Sequence, residues 1–315
     1  MRRLGGQMAH LPTRGARPRG FSACNAAGPG GRPSPFMVYA HFAPHPALLD
    51  FIDSVFVLDI DFRARPDLSA IYPFVPTHNR FLCFYLGDQL RVRKQVGGFL
   101  PRARAIIIGP QLTPVTLDLG QHHQSVVVNL KPAGMYRLLG IPMGELVERD
   151  HDARLVMGRE IDELLERLHQ GRTPAQRNAT VQHYLLGKRA RLRPGLPFDA
   201  AMLHQVRASG NLPIEQVAAR ACLSVRQFER LSYERLGLAP KTYGRLIRFS
   251  HAYKCKESAP RASWTEIAHR CGYFDQTHLI RDFRFFAGHP PGGLTPEALA
   301  HSVLFRTMED LFVAL

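Results

Sequence analysis

Between residues 36 and 130 the apolar positions fall into short runs separated by Gly, Pro, Asn and Asp. The runs are "DSVFVLDI" (53–60), "RFLCFYL" (80–86), "LRVRKQV" (90–96), "RAIIIG" (104–109), "PVTLDL" (114–119) and "SVVVNL" (125–130). β-branched and aromatic residues dominate them, and turn-forming residues lie between, which predicts strands. Many short strands without intervening helices predict a sandwich or small barrel. "PAGMYRLLG" (132–140) then predicts a short helix ended by Gly140 and Pro142. Residues 160–170 and 174–190 predict two amphipathic helices, and "RARLRPGLP" (189–197), basic and broken by Pro and Gly, predicts a linker.

From residue 198 the apolar spacing becomes helical. In "SWTEIAHRCGYFDQTHLIRDFRFFAGHPP" (263–291), Ser263 and Glu266 have the spacing of a capping box, in which each side chain satisfies the other's free backbone N–H. Trp264, Ile267, Ala268 and Cys271 fall on one helical face. Gly272 permits a sharp turn, and Asp275 is a suitable N-cap for a second helix. Leu279, Phe283 and Phe286 form that helix's apolar stripe, and Gly288 and Pro290 end it. Its other face carries Gln276, Thr277, Ile280, Arg281 and Arg284. Gln, Thr and Arg are side chains that read base edges in a major groove, and Ile280 suits a thymine methyl.

The same pattern stands earlier, in "LPIEQVAARACLSVRQFERLSYERLG" (212–237). Ile214, Val217, Ala218 and Ala221 face inward, "CLS" forms the turn, and Ser224 caps a second helix with Gln227 completing an S-x-x-Q box. Phe228 and Leu231 face in; Arg226, Gln227, Arg230 and Glu234 face out. Ser224 precedes Gly237 by the same interval as Asp275 precedes Gly288, and "GLAP" and "GHPP" follow in register. Between the two units, "PKTYGRLIRFSHAYKCKE" (240–257) predicts a connecting helix. Its length would set the units on successive major-groove segments, about 34 Å apart. Cys222 and Cys271 are expected at corresponding core positions, as small buried hydrophobes.

Charge adds a partner to this picture. The 315 residues carry a formal charge of +15, which suits a polyanion. Residues 203–290 hold fourteen Lys and Arg against seven acids, and residues 36–195 hold twenty against fifteen. Residues 1–35 contain six arginines and no acid, with almost no large apolar side chains. They predict a disordered basic arm, and Met37 is a candidate start. Five cysteines without a CxxC pair point to a reducing compartment rather than a disulfide frame or zinc module. No apolar run reaches the length of a membrane span.

These residues carry a family resemblance. "IEQVAARACLSVRQFERLSYERLGLAPKTY" and "EIAHRCGYFDQTHLIRDFRFFAGHPP" resemble the DNA-binding domain of AraC/XylS-type transcriptional regulators. The second stretch carries most of the likeness, through Ile267-Ala268, Gly272-Tyr273, Asp275-Gln276, Leu279, Arg281, Phe283, Gly288 and Pro290. It departs from the family where an aromatic-Arg end is usual, since this chain has "PGGLTP". The front half is similar, less specifically, to the β-rich sensor domain of some such regulators. The resemblance implies that the helices after Ser224 and Asp275 are recognition helices. It also implies cytoplasmic transcription regulation, with double-stranded DNA, a small-molecule effector, a second copy of the chain and RNA polymerase as partners.

The expected class is therefore α+β. Residues 1–35 form the arm, 36–195 a β-rich sensor or dimerisation domain with trailing helices, 198–291 the double helix-turn-helix, and 292–315 a C-terminal tail. The rival reading is a cupin-like metal-dependent enzyme, or a small-molecule-binding protein, fused to a helical module. His78, His122 and His123 are the histidines available to it, but adjacent residues 122 and 123 would point to opposite faces of a strand. No nucleotide-binding or nucleophile-elbow motif is present. No catalytic residue, cofactor or metal is expected.

Overall fold

The computed structural model describes residues 36–294. The expected arm at 1–35 and residues 295–315 of the expected tail lie outside the described residues. Residues 36–152 form two antiparallel sheets. The larger has the order β1 (Met37–Phe42), β2 (Ile52–Asp61), β9 (His122–Leu130), β4 (Arg80–Tyr85), β7 (Ala105–Ile108), β10 (Asp150–Asp152). The smaller runs β3 (Ile71–Phe74), β8 (Val115–Asp118), β5 (Arg91–Arg93), β6 (Leu100–Pro101). Each of the six runs read as strands contains one, although of 90–96 only Arg91–Arg93 is strand. β3 carries Pro73 and lies at a sheet edge, where the missing N–H costs no ladder bond.

The near-continuous apolar runs follow from burial on both faces of the larger sheet. Along β2, Val55 and Val57 join one core while Phe56 and Leu58 join another. β9 does the same with Val126 and Val128 on one side and Val127 on the other. The first core lies against α3 (Glu160–Gln170) and α4 (Pro174–Lys188), through Ile161, Leu164, Leu168, Val181 and Leu185. The second lies between the sheets. Such two-faced burial removes the polar alternation that a one-sided sheet would show. α1 (Gly134–Leu139) ends where Gly140 takes φ 70°, and α2 (Ala153–Met157) follows β10.

The segment read as a linker is fastened to the front domain, beginning with Arg189, which binds Asp50 at 3.0 Å. Arg137 on α1 donates from Nε to the Arg193 carbonyl at 3.1 Å, and its guanidinium also binds Asp50 at 2.7 Å. Beyond it stand α5 (Pro197–Arg207), α6 (Ile214–Arg220), α7 (Val225–Leu236), α8 (Pro240–Ser258), α9 (Trp264–Arg270) and α10 (Gln276–Phe286). They share one core, in which Phe198, Phe228, Phe249, Phe283 and Phe286 are completely buried. Phe249 of α8 touches Phe283 and Phe286 at ring separations of 5.0 and 5.1 Å, so the long helix is the spine on which the second unit packs.

Candidate nucleic-acid interface

Each helix-turn-helix unit is built from caps that the sequence encodes. Ser224 Oγ accepts the Gln227 N–H at 3.3 Å, and Gln227 Oε1 accepts the Ser224 N–H at 3.0 Å. Ser263 and Glu266 make the same exchange at 3.2 and 2.6 Å. Asp275 Oδ1 accepts the His278 N–H at 2.8 Å, and that backbone bond holds the Asp275 carboxyl below its ordinary value. Gly237 and Gly288, at φ 76° and 80°, end α7 and α10.

The duplication is visible residue by residue. Burial along residues 211–221 repeats without exception along 261–271. The Leu223 N–H donates to the Ala218 carbonyl at 3.1 Å, and the Tyr273 N–H to the Ala268 carbonyl at 2.9 Å. These bonds set the alignment and correct one expectation. The partner of Cys271 is Ala221, and Cys222 corresponds to Gly272. Cys222 takes φ 55° where Gly272 takes φ 75°, and its side chain is exposed. It occupies the left-handed turn position that glycine fills more cheaply, so it is no core hydrophobe. From the turn onward the second unit is one residue longer, and the extra residue is Phe274, 92% exposed.

Seven of the eight side chains expected to face DNA are exposed. Arg226, Gln227 and Arg230 on α7, and Gln276, Thr277, Arg281 and Arg284 on α10, are exposed; Ile280 is half-buried. Arg226, Arg230, Arg281 and Arg284 pair with no carboxylate among the described residues. Gln227 is occupied at its carbonyl end by the cap. Gln276 Oε1 accepts from Thr265 Oγ1 at 3.2 Å, tying α10 to α9. Glu234 does not face free solvent as expected: it is half-buried and accepts the Tyr136 hydroxyl of α1.

Ion pairs on their inner faces aim the two helices. Asp282, next to Arg281, accepts from Arg245 of α8 at 2.9 Å and from the Tyr273 hydroxyl at 3.2 Å. That anchors the inner face of α10 and leaves Arg281 outside. On α7, Arg235 forms a two-pronged pair with Asp199 of α5 at 2.8 and 2.7 Å, with its side chain 4% exposed. It also lies over the Tyr136 ring. Sequence reasoning missed two exposed aromatics beside these side chains, Phe274 and Tyr233. Tyr233 follows its N-cap by the same interval as Arg284 follows Asp275, which is the signal that marks it.

The front domain contains a cavity of ≈ 120 Å³ between its sheets. Apolar residues such as Leu58, Phe81, Val92, Ile106 and Val127 line most of it. His123 and Ser125 supply a polar spot, with Nε2 and Oγ 3.0 Å apart. Burial pushes the His123 pKa down to about 4, and its Nδ1 has no hydrogen-bond partner. The histidines of the rival enzyme reading do not meet. His123 points between the sheets, His122 pairs with Asp59 at 2.7 Å, and His78 is half-buried with its carbonyl accepting from Tyr243 of α8 at 3.3 Å.

Comparison with known proteins agrees with this geometry. Residues 217–295 match the family described as "Helix-turn-helix domain", and residues 40–152 match "Domain of unknown function (DUF6597)". The HTH-type transcriptional activator RhaS of Salmonella arizonae is 31% identical over 149 residues, covering 43% of this chain and 52% of that protein. The chain therefore spans about half the length of the curated relatives it matches. Solved structures with partial likeness include the DNA-binding domain of AdpA in complex with a target DNA, 24% identical over 36% of this chain and 98% of that one, at TM-score 0.31. ToxT from Vibrio cholerae is 11% identical over 80% of this chain and 97% of that one, at TM-score 0.41. Sequence match and duplicated geometry together show that this chain carries a helix-turn-helix domain of the AraC/XylS type.

Proposed function

We propose that the protein is a cytoplasmic, sequence-specific DNA-binding transcription factor that reads duplex DNA through α7 and α10. The observation that carries this reading is the matched pair Arg230 and Arg281. Each follows its N-cap by the same interval, each is exposed, and each is free of any carboxylate among the described residues. An arginine so placed presents a fork to guanine O6 and N7. Arg284, a turn farther along, suits a phosphate oxygen. The relative's designation as a transcriptional activator supports the same activity. No helix among the described residues is long and apolar enough to cross a membrane.

The test is binding of the purified full chain to duplex DNA over a range of salt. Affinity falls with salt at a log–log slope of about −0.9 per phosphate contact. A folded chain whose binding ignores salt, or that binds no duplex, sinks the proposal.

The cavity supports a second element, a small effector held by the front domain, which acts as a binding module and not as an enzyme. Its lining suits an apolar compound with one hydrogen-bonding group directed at His123 and Ser125. A ligand library screened by thermal shift tests this, with His123→Phe as the filled-cavity control. Hits that stabilise both proteins alike would place the ligand elsewhere. A second copy of the chain and RNA polymerase complete the proposed set of partners.

A further inference from the structure

The DNA-reading account leaves unused three ligating side chains beneath the second unit. His251 and Cys255 stand one helical turn apart on α8 and so share a face. Cys271 is the C-cap of α9. The Cys255 and Cys271 sulfurs and a ring nitrogen of His251 all lie within 4.8 Å of one another. Both cysteines are buried and neither is in a disulfide. His251 is half-buried, and its Nδ1 is buried without a hydrogen-bond partner.

A tetrahedral zinc ion has Zn–S near 2.3 Å and Zn–N near 2.0–2.1 Å, which sets its ligand atoms roughly 3.5–3.8 Å apart. A triangle already this compact closes on an ion with small side-chain rotations. Thiolate and imidazole together favour zinc over hard cations such as magnesium or calcium. We propose that His251, Cys255 and Cys271 form a mononuclear zinc(II) site, with solvent in the fourth position on the half-open His251 side. Binding converts two thiols to thiolates and releases two protons to solvent.

The consequence is mechanical. The ion would tie the spine helix α8 to the last residue of α9, immediately before the Gly272 turn that launches α10. The first unit has Ala221 at the place of Cys271 and so lacks this fastening. The helix that carries His251 and Cys255 also touches the front domain, where the Tyr243 hydroxyl donates to the His78 carbonyl at 3.3 Å.

The experiment uses the full chain with Cys24→Ser and Cys222→Ser, which removes two thiols outside the triad. Cobalt(II) is titrated in without oxygen, as a spectroscopic stand-in for zinc. The expected result is the intense visible and thiolate charge-transfer bands of a tetrahedral centre, saturating at one equivalent and erased by one equivalent of zinc. Cys255→Ser and Cys271→Ser each lose charge-transfer intensity, His251→Ala shifts the visible bands, and Cys83→Ser changes nothing. Circular dichroism verifies that each variant is folded. Absence of the bands in the parent protein overturns the proposal without reference to any variant. Persistence of unchanged bands in a folded Cys255→Ser, Cys271→Ser double variant overturns it equally.

Discussion

The two helix-turn-helix units share one plan and differ in what holds them. α7 packs against α1 and the Met143–Leu146 turn of the front domain. Arg235 and Glu234 both engage Tyr136 there, and the backbone of Gly237 comes close to Met143 and Pro110. α10 is held within its own domain by the Asp282–Arg245 pair and the aromatic cluster on α8. It meets the front domain past its C-terminal end, where a Cβ at Gly288 would lie 3.8 Å from Pro114. The first unit is thus wired to the front domain along its helix, while the second rests on the spine. The front domain's most direct connection to the helix-turn-helix units therefore runs through α7.

The largest effects break both units alike. Phe228 of the first unit and Phe283 of the second are both fully buried, and Phe→Ala at either costs about 3–5 kcal/mol. Chemical denaturation measures this; a cost below ~1 kcal/mol for one of them would show that its unit is not part of the shared core.

The clamps separate the units. Arg235→Ala strands Asp199, whose side chain is 13% exposed, and a broken buried pair costs about 3–5 kcal/mol. Arg245 is 33% exposed, so Arg245→Ala costs less, about 1.5–3 kcal/mol for a lost charged hydrogen bond. Equal losses would remove the asymmetry proposed here.

The sequence made half of this contrast legible. Caps, stripes and the repeated interval are local, because a capping box joins residues three apart and an apolar stripe follows the helical period. The exposed positions proposed to read DNA are legible by the same route. The clamps were not, since Glu234 meets Tyr136 and Arg235 meets Asp199 only after the chain has folded across long intervals. Cys222 and Cys271 were matched by residue type, and the hydrogen bonds from Leu223 and Tyr273 set a different alignment. In the front domain the six strands were visible because long apolar runs serve two buried faces. β3, β6 and β10 are short strands at sheet edges, with too few inward positions to stand out.

On DNA the contrast is sharpened by alanine variants. Arg230→Ala and Arg281→Ala each cost about 1–3 kcal/mol and relax preference at one position. Arg284→Ala weakens all sequences alike and lowers the salt slope by about 1. Competition on matched and single-mismatch duplexes distinguishes these outcomes, and a uniform loss for Arg281→Ala would reassign it to the phosphate backbone.

Acid acts mainly through the front domain. Burial pushes His78 to about 3 and His123 to about 4. Their folded values lie below the unfolded value, so the stability they confer is complete above pH ~6.5 and is lost as pH falls toward their folded values. Each costs about 1 kcal/mol per pH unit within that window. Denaturation at pH 7 and pH 5 should show the loss, and His123→Gln should reduce it. A His123→Gln protein with unchanged pH dependence would show that this buried imidazole does not control the acid response.

The most direct test of the central claim, that both units read DNA, is selection of binding sites from a random duplex library by the purified full chain. The account predicts one enriched motif with two separated conserved elements, of which Arg230→Ala erases preference in one and Arg281→Ala in the other. A single element untouched by either variant, or no enrichment from a folded protein, would contradict it.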